Sequence, residues 1–259
     1  MGVHGLTIEL VAQLGSRFPG ALREGQLDDV ERIAFHYEQV RGHGKSIADP
    51  WRGIALFSLV CAAQGMQTWL IDKFAHSVNE SHSVGSIGLH QEFGVDVIET
   101  DVSTWWRFFE SESLDIVTCF ESMEHWHSSP QSVWRQARET LMSGGLLLIS
   151  VPKCCKSSKE IVCPRRPLNL GRFEDWYYPV AFGGHVRELT LPELVRAVEE
   201  AGFLVERPWR RNWRKPKYIT GWLWTPINAL LRAFPTLCST LYVRARKPKV
   251  SGSTERSGE

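Results

Sequence analysis

The sequence has no excess of charge of either sign: 30 Lys and Arg face 29 Asp and Glu, leaving a formal charge of +1. A chain so balanced has no global field to draw it to nucleic acid, and none is expected as a partner. No apolar run approaches the roughly 18 residues that a membrane-crossing helix needs, so a spanning helix is not expected. The first residues, MGVHGLTIELVAQLG, lack a basic segment followed by a long apolar core, and no secretory leader is expected. The dinucleotide signature G-x-G-x-x-G is missing, which disfavours a nicotinamide-dependent oxidoreductase. No internal repeat is visible. The six cysteines lack the C-x₂-C spacing of zinc knuckles. Cys154, Cys155 and Cys163 therefore read as loop thiols, and reduced cysteines fit a cytoplasmic protein.

What is present begins with an ordinary globular composition. At 259 residues, 43% hydrophobic and 23% charged, the chain has room for one large α/β domain with an insertion. Its most informative stretch is LDIVTCFESMEHWHSSPQSVWRQARETLMSGGLLLISVP, from Leu114 to Pro152. Leu114 to Phe120 has the length and β-branched content of a buried strand. Glu121, Glu124 and His125 follow at once. Pro130 to Leu141 reads as a helix with Val133, Ala137 and Leu141 on one face, stopped by Gly144 and Gly145. Leu146 to Val151 is a second buried strand, closed by Pro152. Strand, polar loop, helix and strand make a βαβ unit, and such a unit requires a parallel sheet. Its polar cluster leaves the C-terminal end of the first strand, where open α/β sheets place their ligands.

An earlier segment repeats the pattern. Lys45 to Asp49 reads as a strand, Ile54 to Ala63 as an apolar helix, and Gln67 to Ile71 as a second strand ending in Asp72. An acid about twenty residues after such a turn is the arrangement that binds an adenosine ribose. Val95 to Glu99 is a third strand, with Asp101 just beyond it. Thr190, Pro192 and Gly202 frame a further helix, with a strand after Phe203, and Leu237 to Arg246 is the last strand.

The long stretch resembles the class I S-adenosylmethionine (SAM) dependent methyltransferases, on Asp115, Val117, Glu124, His125, Gly144, Gly145 and Pro152. The resemblance implies a Rossmann-like fold: a seven-stranded, mostly parallel sheet with helices on both faces and a substrate-side insertion. It also implies SAM as cofactor, held by Asp49, Gly53, Ala55, Asp72, Asp101 and Glu121, with Asp72 at the ribose and Asp101 at the adenine. The family's D-x-G-x-G-x-G turn is kept only at Asp49 and Gly53. Ala55 is a mild replacement, and Trp51 stands where a glycine would let the backbone approach the ligand. E-x-x-E-H is similar to the motif of ubiquinone-pathway O-methyltransferases and of small-RNA ribose methyltransferases. That likeness implies a cation, Mg²⁺ or Mn²⁺, on Glu121, Glu124, His125 and His185. His125, His127 and His185 are the catalytic candidates; without a cation, Glu124 and His125 would hold the loop by hydrogen bonds and His127 and His185 would be the leading bases.

The domain organisation expected is an N-terminal helical cap over residues 1–44, a methyltransferase domain over 45–246 and a disordered tail over 247–259. Residues 152–185 are too long for a simple loop and read as a lid. Residues 207–226 alternate Arg and Lys with Trp209, Trp213, Trp222 and Trp224. That pattern suits an anionic acceptor or the inner membrane surface, or else a strand with its rings packed inward. The function expected is O-methylation of a glycan, a lipid-linked sugar or a quinone-type small molecule. The alternative, motivated by Trp51, is a SAM-fold binding protein without activity.

Overall fold

The computed structural model describes residues 3–18, 29–50, 56–72, 87–126, 129–153, 188–213, 223, 226–227, 229–230 and 238–249. Seven strands, β1 (Ser46–Pro50), β2 (Gln67–Asp72), β3 (Val95–Glu99), β4 (Leu114–Phe120), β5 (Leu141–Pro152), β6 (Leu204–Arg211) and β7 (Thr240–Arg246), form one sheet. Their order is β3-β2-β1-β4-β5-β7-β6. The first five run parallel, and β7 is antiparallel to both its neighbours. This is the seven-stranded, Rossmann-like sheet expected from the sequence.

Alternation along the central strands builds two cores, as it must in a sheet covered on both faces. Ile116 and Phe120 of β4, with Leu146 and Leu148 of β5, turn to one side. There they meet α1 (Val3–Gly15), α2 (Val30–Val40) and α3 (Leu56–Ala63). Val117, Cys119, Leu147 and Ile149 turn to the other side, against α4 (Pro130–Thr140) and α5 (Leu191–Glu200). The N-terminal helices α1 and α2 share this core with the sheet.

Helix starts follow the local chemistry. Ser129 caps α4 by accepting from Gln131 N at 3.2 Å, with Pro130 behind it. Thr190 and Glu193 cap α5 reciprocally. The expected helix stop at Gly144 and Gly145 is wrong. α4 ends at Thr140, and β5 already begins at Leu141, paired with Leu114. The glycines instead serve a bulge: a Cβ on Gly145 would lie 2.8 Å from Met142 O and 3.2 Å from Asp115 O, so backbone approaches backbone there. Residues 247–249 of the expected tail are among the described residues. Lys247 donates from Nζ to Leu141 O at 2.7 Å and pairs with Glu112 at 3.0 Å.

Entry into the sheet depends on one close contact. Asp115 Oδ2 accepts from Lys45 N, Ser46 N and Ser46 Oγ at 2.9, 3.0 and 2.8 Å. Burial would raise its pKa, but these three hydrogen bonds hold it below the usual carboxylate value. Gly44, at φ +145°, lies so close that a Cβ there would occupy the Asp115 side chain. Gly44→Ala should therefore lower the unfolding free energy by about 2 kcal/mol or more, from backbone strain and the displaced carboxylate. Denaturant melts of the two proteins measure it; an unchanged midpoint would show that the contact does not matter.

Candidate functional site

The chain crosses from β1 outward to β2 and β3, then returns to β4 and β5 on the other side. The switch point lies between β1 and β4, whose ladder covers only Ile47–Ile116 and Ala48–Val117. Above it the strands part, which opens a crevice at their C-terminal ends. Asp49 sits buried at its floor. Its carboxylate accepts from Ser58 Oγ on α3 at 2.9 Å and from Thr118 Oγ1 on β4 at 2.8 Å. Burial pushes its pKa up to about 6, against the pull of those two hydrogen bonds. Asp49 thus anchors α3 and β4 to β1.

Asp72 ends β2, in register with Glu99, at the rim beside β1. Asp101 follows β3, and its Oδ1 accepts from Ser103 N at 2.9 Å and Ser103 Oγ at 2.7 Å. That carboxylate initiates the turn into the short helix Trp105–Phe108. Gly53, Ala55 and Trp51 lie outside the described residues.

Beyond β4, Glu121 adopts φ +53°, a left-handed conformation rare for a side chain of its kind. Its N–H donates to Ser150 O at 2.8 Å, and Ser150 Oγ donates to its carboxylate at 3.3 Å. Arg32 of α2 approaches the other oxygen to 3.9 Å. The chain then tightens into the turn Met123–His125. Glu124 is buried there, with one carboxylate oxygen lacking any partner. Burial first, then the nearby charges of Glu121 and Glu188, push its pKa up to about 9, against Arg32. His125 is more open, with Nε2 3.9 Å from Glu124 Oε1.

The expected cation site is not supported. Among the described residues no group of three or more His, Cys, Asp or Glu is placed to hold a metal ion. The left-handed residue and the tight turn give Glu121 and Glu124 different surroundings. His185 and His127 lie outside the described residues, as do Cys154, Cys155, Cys163 and nearly all of the expected lid.

Sequence reasoning missed a second set of residues, on α2 and β7. His36 stacks on Phe120 with ring centroids 3.9 Å apart, and its Nε2 lies 2.9 Å from Tyr242 Oη. Trp213 Nε1, which can only donate, gives its proton to Tyr242 Oη at 2.6 Å. The phenol O–H is then able to donate to His36 Nε2 when the imidazole hydrogen is on Nδ1. Burial, with Arg32 and Arg211, holds the His36 pKa well below the usual value, so the ring is neutral. Arg32 and His36 are four apart, one turn of α2, and that spacing was the only signal available. Trp209 and Trp213 of the basic segment are used for packing: Trp209 stacks on Tyr242 at 5.0 Å. Trp222 and Trp224 lie outside the described residues. Among the described residues, no helix is long and apolar enough to cross a membrane.

A family profile described as "Methyltransferase domain" matches residues 52–207. The chain belongs to the methyltransferase domain family. Solved structures agree on the fold of this methyltransferase. A SAM-dependent methyltransferase from Archaeoglobus fulgidus is 13% identical, with a TM-score of 0.57 over 91% of this chain and 98% of that one. Phosphoethanolamine N-methyltransferase 2 from Haemonchus contortus, solved with SAM, is 15% identical, with a TM-score of 0.54 over 84% of this chain and 52% of that one. The [4+2]-cyclase SpnF is 15% identical, with a TM-score of 0.58 over 89% and 84%. A cyclase on the same fold shows that architecture alone does not choose the reaction; the family match does. A comparison with curated proteins found no match.

The buried Glu124 makes the stability of this class I, SAM-dependent methyltransferase depend on pH. As pH rises from 4.5, the ordinary value, towards 9, the unfolded chain loses this proton while the native one keeps it. Stability therefore falls across that window, by up to about 1.4 kcal/mol per pH unit. His36 acts oppositely and only below 6.5, where the unfolded chain gains a proton that the native ring refuses. Between pH 6.5 and 9 the decline should be visible in thermal melts and flatten in Glu124→Gln, which mimics the neutral acid. Equal slopes in the two proteins would contradict a protonated Glu124.

Proposed function

We propose that this methyltransferase methylates a hydroxyl group of a small acceptor, such as a glycan, a lipid-linked sugar or a quinone-type molecule, with His125 as the base. The observation that carries this reading is a part-exposed imidazole at the end of β4, next to a carboxyl group that burial keeps neutral. SAM, when bound, supplies an electrophilic methyl group with a good leaving group already attached. What remains for the protein is alignment and the removal of a hydroxyl proton.

The residues fit such a cofactor. Asp72 at the rim of β2 would accept from the ribose hydroxyls, and Glu121 lies at the other side of the switch point. Asp49 supports the crevice from below through Ser58 and Thr118. His125 would then take the acceptor proton. A neutral Glu124 beside it places no carboxylate charge against the imidazole, so the proton moves to the ring and not to a neighbouring acid. A peripheral, anionic partner stays a subsidiary proposal, resting on the exposed Arg207 and Leu204 of the edge strand β6.

His125→Ala should lower the methyl-transfer rate by about 10²–10⁴-fold, the usual contribution of a positioned base. Its affinity for S-adenosylhomocysteine, read by calorimetry, should not change. A chelator should leave the wild-type rate intact; loss of activity that Mg²⁺ or Mn²⁺ restores would reinstate a cation and remove His125 from the role.

Asp72→Ala tests the cofactor half separately. Losing a carboxylate that accepts from ribose hydroxyls should weaken SAM binding by about 1–3 kcal/mol. Unaltered affinity would take Asp72 out of the site.

A further inference from the structure

The loop between α2 and β1 reads Arg41-Gly42-His43-Gly44-Lys45, and the His43 ring is turned onto β7. His43 Nε2 lies 2.7 Å from Arg244 Nη2, and His43 Nδ1 lies 2.9 Å from Arg246 Nη2. The two arginines are two residues apart on β7 and so share a face of the sheet. Each is also held at its other nitrogens. Arg244 donates from Nε to Glu206 Oε2 at 2.9 Å and from Nη1 to Gln39 O at 3.4 Å. Arg246 donates from Nε to Glu206 Oε1 at 3.0 Å and from Nη1 to Gly144 O at 3.0 Å. The β6–β7 ladder shifts register at Glu206, and the bulge lets one carboxylate face both arginines. The guanidinium groups therefore have fixed places, and the imidazole is set between them.

A guanidinium can only donate, so each contact needs a lone pair on the ring. A neutral imidazole has one bare nitrogen and can accept from one arginine, while its N–H faces the other. An imidazolium has none: it would turn an N–H to both and add a third positive charge beside two. Among the described residues the charges acting on the ring are Arg244 and Arg246 of β7 and Glu206 of β6. Arg41 and Lys45 of its own loop are exposed. Burial first, then the two arginines, hold the His43 pKa below its usual value, against Glu206. The backbone around the ring is unequal. Gly42, at φ +77°, has nothing within 4 Å of where a Cβ would stand, whereas Gly44 is packed on Asp115. The loop thus has a pivot on its α2 side and an anchor on its β1 side.

We propose that His43 is a proton-operated latch, which as a neutral ring fastens the end of α2 to β7 and on protonation leaves the two arginines, so that the loop turns out about Gly42. The released ring takes a proton at the ordinary histidine value of about 6.5, and the latched ring resists it. The latch is therefore closed above that pH. Below it the open population grows by up to about tenfold per pH unit, until the latched ring's own lower value is reached. α2 is the helix that brings Arg32 and His36 to the end of β4, so the latch secures one wall of the site from its far end. The inference does not depend on the acceptor or on how the cofactor is held.

Hydrogen exchange on the full chain tests it, on peptides covering the end of α2 and the loop, with rates corrected for the intrinsic pH dependence of exchange. Wild-type protection there should fall by up to about tenfold per pH unit below about pH 6.5. His43→Gln, whose amide oxygen accepts from one arginine without titrating, should hold its protection over the same range. His43→Ala should be weakly protected at every pH. An NMR titration of the His43 ring should find it below the usual histidine value in wild type and closer to that value in Arg246→Met. A fall in protection shared by His43→Gln, or by peptides from β4 and β5, would show general loosening in acid and overturn the latch. So would a ring that titrates at the ordinary value, or His43→Ala protected like wild type at neutral pH.

Discussion

The site depends on a buried carboxylate that keeps two strands together just where their ladder ends. Asp49 bonds to Thr118 across the gap between β1 and β4 and to Ser58 on the helix that follows. Backbone pairing between these strands stops at Ala48 and Val117. Further pairing would close the crevice; no tie at all would let α3 drift from the sheet. A side-chain bridge meets both needs, because it holds the strands without filling the space above them. The cost is a desolvated acid, visible in its raised pKa.

The same rule sorts the other carboxylates. Glu121 and Glu124 are three residues apart, yet their environments differ. Glu121 has Arg32 and the Ser150 hydroxyl nearby and stays part-exposed. Glu124 is turned inward by the short helical turn, where burial and the charge of Glu121 favour its neutral form. One of two neighbouring acids is thereby pushed towards its neutral form by its surroundings.

On the other side of β4, aromatic packing does the positioning. His36 is pressed against Phe120, Tyr242 stacks on Trp209, and the Trp213 indole orients the Tyr242 phenol. Phe120 is the residue before Glu121, so this layer supports the left-handed turn from beneath. The edge strand β6 contributes Trp209 to the layer, and its arginines lie over the same rings, Arg211 between Phe35 and Trp213 at 4.2 Å from each. What reads in sequence as a basic, Trp-rich surface is, in its described part, packed on the aromatic layer of Phe35 and Tyr242.

The sequence by itself determined the strands and most helix starts. Leu114–Phe120 and Val95–Glu99 occur as expected because an apolar, β-branched run with polar ends has few other ways to bury itself. The acids at strand ends were also legible, since their positions follow once the strands are known. Tertiary structure decided what those acids do. The E-x-x-E-H spacing holds no information on the left-handed φ of Glu121 or on the burial of Glu124, so it could not show how differently the two carboxyl groups are placed. Nor could it show that Arg32, His36 and Tyr242 meet at the end of β4. Their separation along the chain, from residue 32 to residue 242, is bridged only by the packing of α2 over the sheet and the antiparallel insertion of β7. Local pattern sets the elements, whereas charge state and site membership depend on neighbours brought from elsewhere in the chain.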